Sequence, residues 1–343
     1  LTRTDLGAFL GEVLSKANAF VPSAAGSILM DKPFDRGPSP AETSLSFVAA
    51  FGPASKAVLG KSLRADRGVV GNVYRSGEPY LMSDPENDPN FYSKFDEDHE
   101  FRTTGVVAVP VRIERTVCGV LELLNRSDGK AYTERNMQML EIFARYTSIS
   151  IENLLDAQRA TEMARRDDLT GLYNDRFFHH RLSEDLIRAD VTRSTLALLF
   201  LDIDNFKTVN DTHGHLAGSQ VLKEFGWLLT RAVTDDKSTL ARYGGDEFVV
   251  ILPDHDLEMA CEVATRIQDE LAETQFLQGS FSWSEGPVYW RRPLTASIGV
   301  AVYPHHLPRQ GTTDLKKNLL LRAADLAMYR GKENGKNQIR IAD

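Results

Sequence analysis

The sequence is poor in cysteine, has no long apolar run and carries no excess of positive charge. Its 343 residues include only two cysteines, Cys118 and Cys261, which exclude a disulfide framework or a CxxC metal site and point to a reducing compartment. No run approaches the roughly 20 apolar residues that span a bilayer. A net charge of −8 argues against broad binding to nucleic acid or anionic membrane. We therefore expect a cytoplasmic protein with neither partner.

The length and composition indicate two folded domains. At about 150 residues per domain the chain is long enough for two, and 42% hydrophobic with 26% charged residues is an ordinary globular mixture. The sequence begins at Leu1 without a Met, which leaves open that residues precede it in a longer protein.

The first part of the chain combines helices with strands. Apolar spacing predicts a helix over residues 6–19, strands over 26–30 and 45–51, and a buried hairpin from 106–111 and 118–124. From about 133 to 166 the pattern is continuously helical. We interpret this long helix as a connector that pairs with a second copy of itself; a packed terminal helix is the alternative.

After residue 167 helical and strand-like patterns alternate. This order predicts a mixed sheet with helices on one or both faces, and residues 275–293 as an elaborated loop or extra hairpin. The predicted helices cover 177–191, 218–233, 257–271 and 315–330, and the predicted strands cover 196–203, 239–243, 248–252, 294–303 and 338–342.

Two acidic clusters stand at the ends of predicted strands. Asp202 and Asp204 are two residues apart and share one strand face, and the second cluster is residues 244–247 (GGDE), beside Arg242. Converging carboxylates suit Mg²⁺, and two glycines allow a backbone to approach a bulky anion. With the cationic side chains of Lys207, Lys332 and Lys336, the pattern predicts a nucleotide site.

Other common motifs are incomplete. Residues 60–62 (GKS) resemble the end of a P-loop, but Ser55 stands where its first glycine belongs. An EF-hand beginning at Asp202 would have Phe206 in place of an oxygen ligand. The histidine pairs lack partners at zinc spacing.

The second half resembles the GGDEF family of cyclic-dinucleotide synthases over about residues 160–343. The resemblance is carried by ordered motifs, namely 168–174 (DLTGLYN), 202–207 (DIDNFK), 210–215 (NDTHGH), the name-giving 242–248 (RYGGDEF), 295–301 (TASIGVA), 324–329 (ADLAMY) and 335–337 (GKN) with Lys332. It implies a ferredoxin-like or palm-like core, as in nucleotidyl cyclases and polymerases.

The resemblance also implies a reaction. Two domains face each other, each with one nucleoside triphosphate and Mg²⁺ (or Mn²⁺ in its place), and each 3′-hydroxyl attacks the opposite α-phosphate, so that two pyrophosphates leave. The implied metal ligands are Asp202, the Ile203 carbonyl, Asp246 and Glu247, with Glu247 or Asp246 as general base. The implied substrate contacts are Phe206, Lys207, Asn210, His215, Ser219, Arg242, Gly244, Gly245, Lys332 and Lys336.

Two motifs depart from the family pattern. Ser219 replaces the Asp that reads guanine; a hydroxyl both donates and accepts, which favours relaxed specificity and cyclic GMP-AMP as a product, as in the hybrid promiscuous subgroup. The alternatives are that Ser219 still reads guanine or caps the helix that starts there. Asp235 and Ser238 replace the Arg-x-x-Asp of the feedback site, so we expect no product inhibition there.

The first half, about residues 1–155, resembles a GAF sensor domain. The resemblance is carried by 68–79 (GVVGNVYRSGEP), 83–85 (SDP), Phe91, 107–111 (VAVPV) and 119–125 (GVLELLN). It implies an antiparallel sheet with helices that encloses a small ligand. The motif of the cyclic-nucleotide-binding type is incomplete after Asn125, and Cys118 lies in an apolar strand, which argues against covalent chromophore attachment. A purely dimerising domain without a ligand is equally compatible.

We therefore predict an α+β protein: a GAF-like antiparallel sheet with helices over 1–155, a connecting helix to about 166, and a ferredoxin- or palm-like GGDEF cyclase domain over 160–343. It would act as a homodimer, through the GAF domain and connector, with GTP as substrate and ATP as a second candidate substrate. The alternatives are a strict GTP-specific diguanylate cyclase, a cyclase that makes a mononucleotide, and a non-catalytic nucleotide-binding module.

Overall fold

The computed structural model describes residues 3–31, 43–92, 96, 101–284, 286, 288–290 and 292–343. The chain divides into two compact units, Leu1–Arg159 and Ala160–Asp343. None of the described helices combines the length and apolar character needed to cross a bilayer.

The first unit is a six-stranded antiparallel sheet in the order β3-β2-β1-β6-β5-β4. The predicted hairpin is confirmed as β5 and β6, and the long helix is confirmed as α4. The strands are β1 (Ser23–Asp31), β2 (Ser44–Phe51), β3 (Ser62–Arg64), β4 (Tyr80–Met82), β5 (Val106–Ile113) and β6 (Thr116–Arg126), and the helices are α1 (Arg3–Phe20), α2 (Ser55–Val58), α3 (Gly68–Ser76) and α4 (Glu134–Arg165).

Alternating side chains give this sheet two covered faces. Leu121 and Leu123 of β6 pack in one cluster with apolar residues of α1 and α4. Val120 of the same strand packs on the other face with Val70 and Val73 of α3. Because successive side chains of a strand point to opposite faces, one strand supplies both cores.

The second unit is a five-stranded mixed sheet in the order β11-β10-β7-β9-β8, in which only the β10–β11 pairing is parallel. Its strands are β7 (Leu196–Ile203), β8 (Thr239–Gly244), β9 (Glu247–Pro253), β10 (Ala296–Tyr303) and β11 (Ile339–Ile341), and its helices are α5 (Asp175–Thr192), α6 (Phe206–His213), α7 (His215–Ala232), α8 (Leu257–Glu273) and α9 (Thr313–Glu333). The predicted mixed sheet is confirmed, with helices on both faces.

The central strand β7 is buried along its whole length. Leu199 and Leu201 pack with α7 and α8, whereas Leu198 and Phe200 pack with α5 and α9. Three of these helices begin at side-chain caps, Asn174, Asp256 and Thr312, each of which accepts from a backbone N–H three residues on.

The structure corrects some predicted boundaries. Helix α7 begins at His215, not at 218, and its N-cap is Gly214, which has a positive φ of 83°. Helix α6 was not predicted. Between residues 275 and 293 the described residues form a loop with one isolated antiparallel bridge, between Gly279 and Val288.

Candidate active site

The site begins where β7 ends. Leu198 and Phe200 face α5 and α9, and Asp202 is the next side chain on that face. It is only 3% exposed. Because β7 is apolar up to its last two residues, it places the Asp202 carboxylate at the edge of the core.

Strand register brings the second acidic cluster to Asp202. Asp202 lies directly opposite Glu247 in the antiparallel β7–β9 pair, and the Ile203 N–H donates to the Asp246 carbonyl at 3.3 Å. Opposed residues in such a pair have Cβ atoms about 5 Å apart. The acidic residues that the sequence placed at two strand ends are therefore neighbours.

Asp202 combines one ion pair with one unpaired oxygen. Its Oδ2 lies 2.5 Å from the Lys332 ammonium, whereas its Oδ1 is buried without a hydrogen-bond partner. Burial raises the pKa of Asp202 to about 6; Lys332 opposes this shift, and the charges of Asp246 and Glu247 add to it. A buried oxygen with no partner beside two further carboxylates favours a bound cation.

A further acid, Asp325, comes from α9. Burial raises the pKa of Asp325, and burial followed by the charges of Asp325 and Asp246 raises the pKa of Glu247. The sequence contained Asp325 in one of its motifs but gave it no role. Only the packing of α9 on the sheet brings it to Glu247.

The donor set fits a divalent cation. Hard ions such as Mg²⁺ prefer carboxylate and backbone oxygen, which Asp202, Ile203, Asp246 and Glu247 can supply. In the part of the chain that the structure describes, no three acidic, His or Cys side chains already form a metal-binding group. Lys332 instead compensates the charge of Asp202.

The turn between β8 and β9 is open above its glycines. A Cβ added to Gly244 or Gly245 would meet no atom within 4 Å, and Gly245 adopts a left-handed conformation (φ 51°). Arg242 donates to the Gly245 carbonyl at 3.0 and 2.7 Å and pairs with Asp167 at 3.3 Å. Arg242 thus anchors the turn.

Helices α6 and α7 bring Asn210 next to Gly218, the residue before Ser219. A Cβ on Gly218 would lie 1.9 Å from Asn210 Oδ1 and 3.1 Å from the ring of Phe206, so both side chains lie over this glycine. Ser219 is half-buried. The idea that Ser219 caps the helix is wrong, because α7 begins at His215 with Gly214 as its N-cap.

The predicted lysine and histidine contacts fall into two groups, those bonded to the end of β7 and those exposed on α6 and α7. Lys332 contacts Asp202, and the Lys336 ammonium donates to Asn205 Oδ1 at 2.6 Å, in the turn between β7 and α6. Lys207 is exposed on α6, and His215 is exposed at the start of α7. The structure therefore ties two of the lysines to the end of β7.

Asp204 has a structural role. Its carboxylate is 2% exposed and accepts from the Thr295 hydroxyl, the Ser297 hydroxyl and the Asn337 N–H at 2.7, 2.8 and 2.8 Å. These bonds join the end of β7 to β10 and to the loop that carries Lys336. All three partners are more than 90 residues away along the chain.

Two family models match the chain in adjacent segments. Residues 164–338 match the model described as "Diguanylate cyclase, GGDEF domain", and residues 3–152 match a GAF domain. The chain belongs to the GGDEF family and carries an N-terminal GAF domain.

Curated proteins give the same assignment. The chain is 30% identical over 238 residues to Diguanylate cyclase A of Treponema denticola, covering 68% of this chain and 58% of that protein. It is 33% identical over 233 residues to the probable diguanylate cyclase DgcT of Escherichia coli, covering 66% and 48%. The chain thus spans about half the length of such relatives.

Among solved structures, the chain is similar to the coiled coil and GGDEF domain of DgcB from Caulobacter crescentus in complex with c-di-GMP. The identity is 27% and the TM-score 0.50, and the match covers 59% of this chain and 99% of that one.

Proposed function

We propose that the chain condenses two nucleoside triphosphates into a 3′,5′-linked cyclic dinucleotide and releases two pyrophosphates. The observation that carries the proposal is the register of β7 and β9, which places Asp202, with its unpaired buried oxygen, opposite Glu247 and beside the open Gly244–Gly245 turn. Relatives named diguanylate cyclases support the same reaction.

Each residue has a place in this proposal. Asp202, the Ile203 carbonyl and Asp246 would hold Mg²⁺ or Mn²⁺, which when bound neutralises phosphate charge and lowers the pKa of the attacking 3′-hydroxyl. Glu247 would accept the hydroxyl proton, since its raised pKa makes it a stronger base than an exposed carboxylate; Asp246 is the alternative base.

The remaining predicted residues would position the nucleotide. Lys207, Lys332 and Lys336 would contact the triphosphate, His215 would lie close to the site, and the Gly244–Gly245 backbone would approach the phosphates. Arg242 would contribute to phosphate binding indirectly, because its hydrogen bond to the Gly245 carbonyl fixes the conformation of this turn. Asn210, which lies over Gly218 together with Phe206, would contact the base.

We propose relaxed base specificity from Ser219. A serine hydroxyl donates as well as accepts, whereas a carboxylate selects the donor edge of guanine. With GTP, ATP and Mg²⁺ supplied together, we expect cyclic GMP-AMP beside cyclic di-GMP by mass spectrometry. Ser219→Asp should shift the products toward cyclic di-GMP, and Ser219→Ala is the matched variant without a hydroxyl. Cyclic di-GMP alone from the unmodified protein would show strict GTP specificity.

The reaction requires two copies, because each site holds one nucleotide. Helix α4 supports a homodimer through the GAF domain and connector: Ile142, Tyr146 and Ile149 recur at helical spacing and are 60%, 55% and 56% exposed. We propose that a second copy covers this stripe. Ile149→Glu should lower the dimer fraction in light scattering, while the exposed-site control Glu162→Gln should not. If the Ile149→Glu variant forms the same fraction of dimer as the unmodified protein, this stripe of α4 is not the dimer interface.

A further inference from the structure

The loop between α8 and β10 is packed on the core of the second unit, and the proposed reaction gives it no role. Its described residues are 274–284, 286, 288–290 and 292–295. Phe276, Leu277, Trp290 and Leu294 are buried in the same core cluster as Val209 of α6. A connection that buries this many apolar side chains is held firmly on the domain.

The loop contacts the two helices that carry the proposed base-binding residues. The ring of Trp290 contacts the ring of His213, the last residue of α6, in an edge-on arrangement with 5.9 Å between centroids and 72° between planes. The Leu277 N–H donates to Oε2 of Glu224 in α7 at 3.0 Å, and Oε1 of Glu224 accepts from the Gln220 amide at 2.9 Å. The two ends of the loop therefore hold different helices.

The two ends of the loop are also bonded to each other. The Gln278 amide donates to the carbonyls of Phe276 and Trp290 at 3.1 and 3.4 Å. Gly279 and Val288 exchange backbone hydrogen bonds at 3.2 and 2.7 Å. The loop thus forms one continuous connection between α6 and α7.

Helix α6 has little packing of its own to fix its position. It has eight residues and one buried side chain, Val209, and only Gly214, with a positive φ of 83°, separates it from α7. Asn210 lies one helical turn before His213 on the same face, and its Oδ1 lies over Gly218. A displacement of α6 at His213 would therefore move Asn210.

We propose that Trp290 is a positioning residue: its contact with His213 holds α6 against α7 and thereby keeps Asn210 in place for the nucleotide base. The inference rests on the proposed function, in which Asn210 contacts the base. Contacts between aromatic rings contribute about two- to tenfold to an equilibrium constant, and this range sets the expected size of the effect.

Hydrogen exchange of the nucleotide-free protein tests the support of α6 directly. His213→Ala and Trp290→Leu should each speed exchange over residues 207–213 several-fold; His213 is exposed, so its replacement leaves the core intact. The matched control is Trp283→Leu, which removes a tryptophan of the same loop that stacks on Phe281. Unchanged exchange of α6 in the first two variants, or an equal increase in the control, would overturn the proposal.

Isothermal titration with guanosine 5′-(α,β-methylene)triphosphate and Mg²⁺ tests the consequence for the base. We expect His213→Ala and Trp290→Leu each to raise Kd two- to tenfold, and the double variant to bind no more weakly than the weaker single variant, because both remove one contact. His213→Phe keeps a ring and should retain the unmodified Kd, and Trp283→Leu should stay within twofold of it.

Two results of the titration would overturn the positioning role. One is an unchanged Kd in variants whose α6 exchanges faster, and the other is a double variant in which the two losses of affinity add. If the unmodified protein does not bind the analogue, the proposed function is wrong, and the exchange measurement still decides whether Trp290 holds α6.

Discussion

Gly299 sets how closely α9 packs on the sheet that carries the active site. A Cβ at this position would lie 1.9 Å from the Ala324 carbonyl oxygen and 2.5 Å from the Met328 nitrogen, both backbone atoms of α9. Backbone cannot rotate aside, so Gly299→Ala must displace the helix. Overpacking of this kind costs roughly 1–3 kcal/mol and sometimes more, and we expect about 3 kcal/mol.

Gly218→Ala is the matched control. Its Cβ would also meet an atom at 1.9 Å, but that atom is Asn210 Oδ1, at the end of a side chain that can move. Alanine adds up to about 1 kcal/mol of helix propensity in return. We therefore expect little change in stability and a several-fold higher KM for nucleotide, because the displaced Asn210 is proposed to contact the base.

Tryptophan fluorescence can follow the unfolding of the second unit in both variants. All three tryptophans, Trp227, Trp283 and Trp290, lie in the second unit. Urea unfolding followed by their emission should show a large loss of stability for Gly299→Ala and a change within about 1 kcal/mol for Gly218→Ala. Equal losses in the two variants would refute the reasoning, since it depends on whether backbone or side chain must move.

Three further predictions concern charge. Because burial raises the pKa of Glu122 from its ordinary value of 4.5 to about 7 in the folded protein, its stabilising contribution is complete below about pH 4 and is lost as pH rises through 7. Glu122→Gln should therefore slow hydrogen exchange of β6 relative to the unmodified protein at pH 8 but not at pH 4; equal effects at both would contradict this. Lys332→Met should shift the acidic limb of the pH–rate profile to higher pH, because the charge of Lys332 lowers the pKa of Glu247. An acidic limb at the same pH would show that Lys332 does not influence the catalytic base. With Asp235 and Ser238 at the feedback positions, saturating cyclic di-GMP bound away from the active site should not inhibit, and tight non-competitive inhibition would refute this.

Much of the fold follows from local pattern. The apolar run 196–203 predicted β7 with its correct bounds, and the two runs around residue 115 predicted the β5–β6 hairpin. Helix α6 was missed because it has only eight residues and a single buried apolar side chain, Val209, which is too little for a helical pattern.

Only part of the site could be predicted from the sequence, because some of its residues meet only in the folded protein. The acids at the ends of β7 and β9 could be found because each is adjacent to a recognisable strand. Asp325 and the bonds of Asp204 to Thr295 and Asn337 depend on packing between segments far apart in sequence. Each of these residues lies in a recognised motif, but only the packing of α9 and of distant segments on the sheet shows which residues are its partners.

The most direct test of the proposed activity is pyrophosphate release against Mg²⁺ concentration for three proteins. The unmodified chain with GTP should release pyrophosphate only when Mg²⁺ is present. Asp202→Asn should lower the rate by about 10³-fold or more, while the exposed control Asp236→Asn should leave it unchanged. An Asp202→Asn protein within tenfold of the unmodified rate would contradict a cation held between β7 and β9.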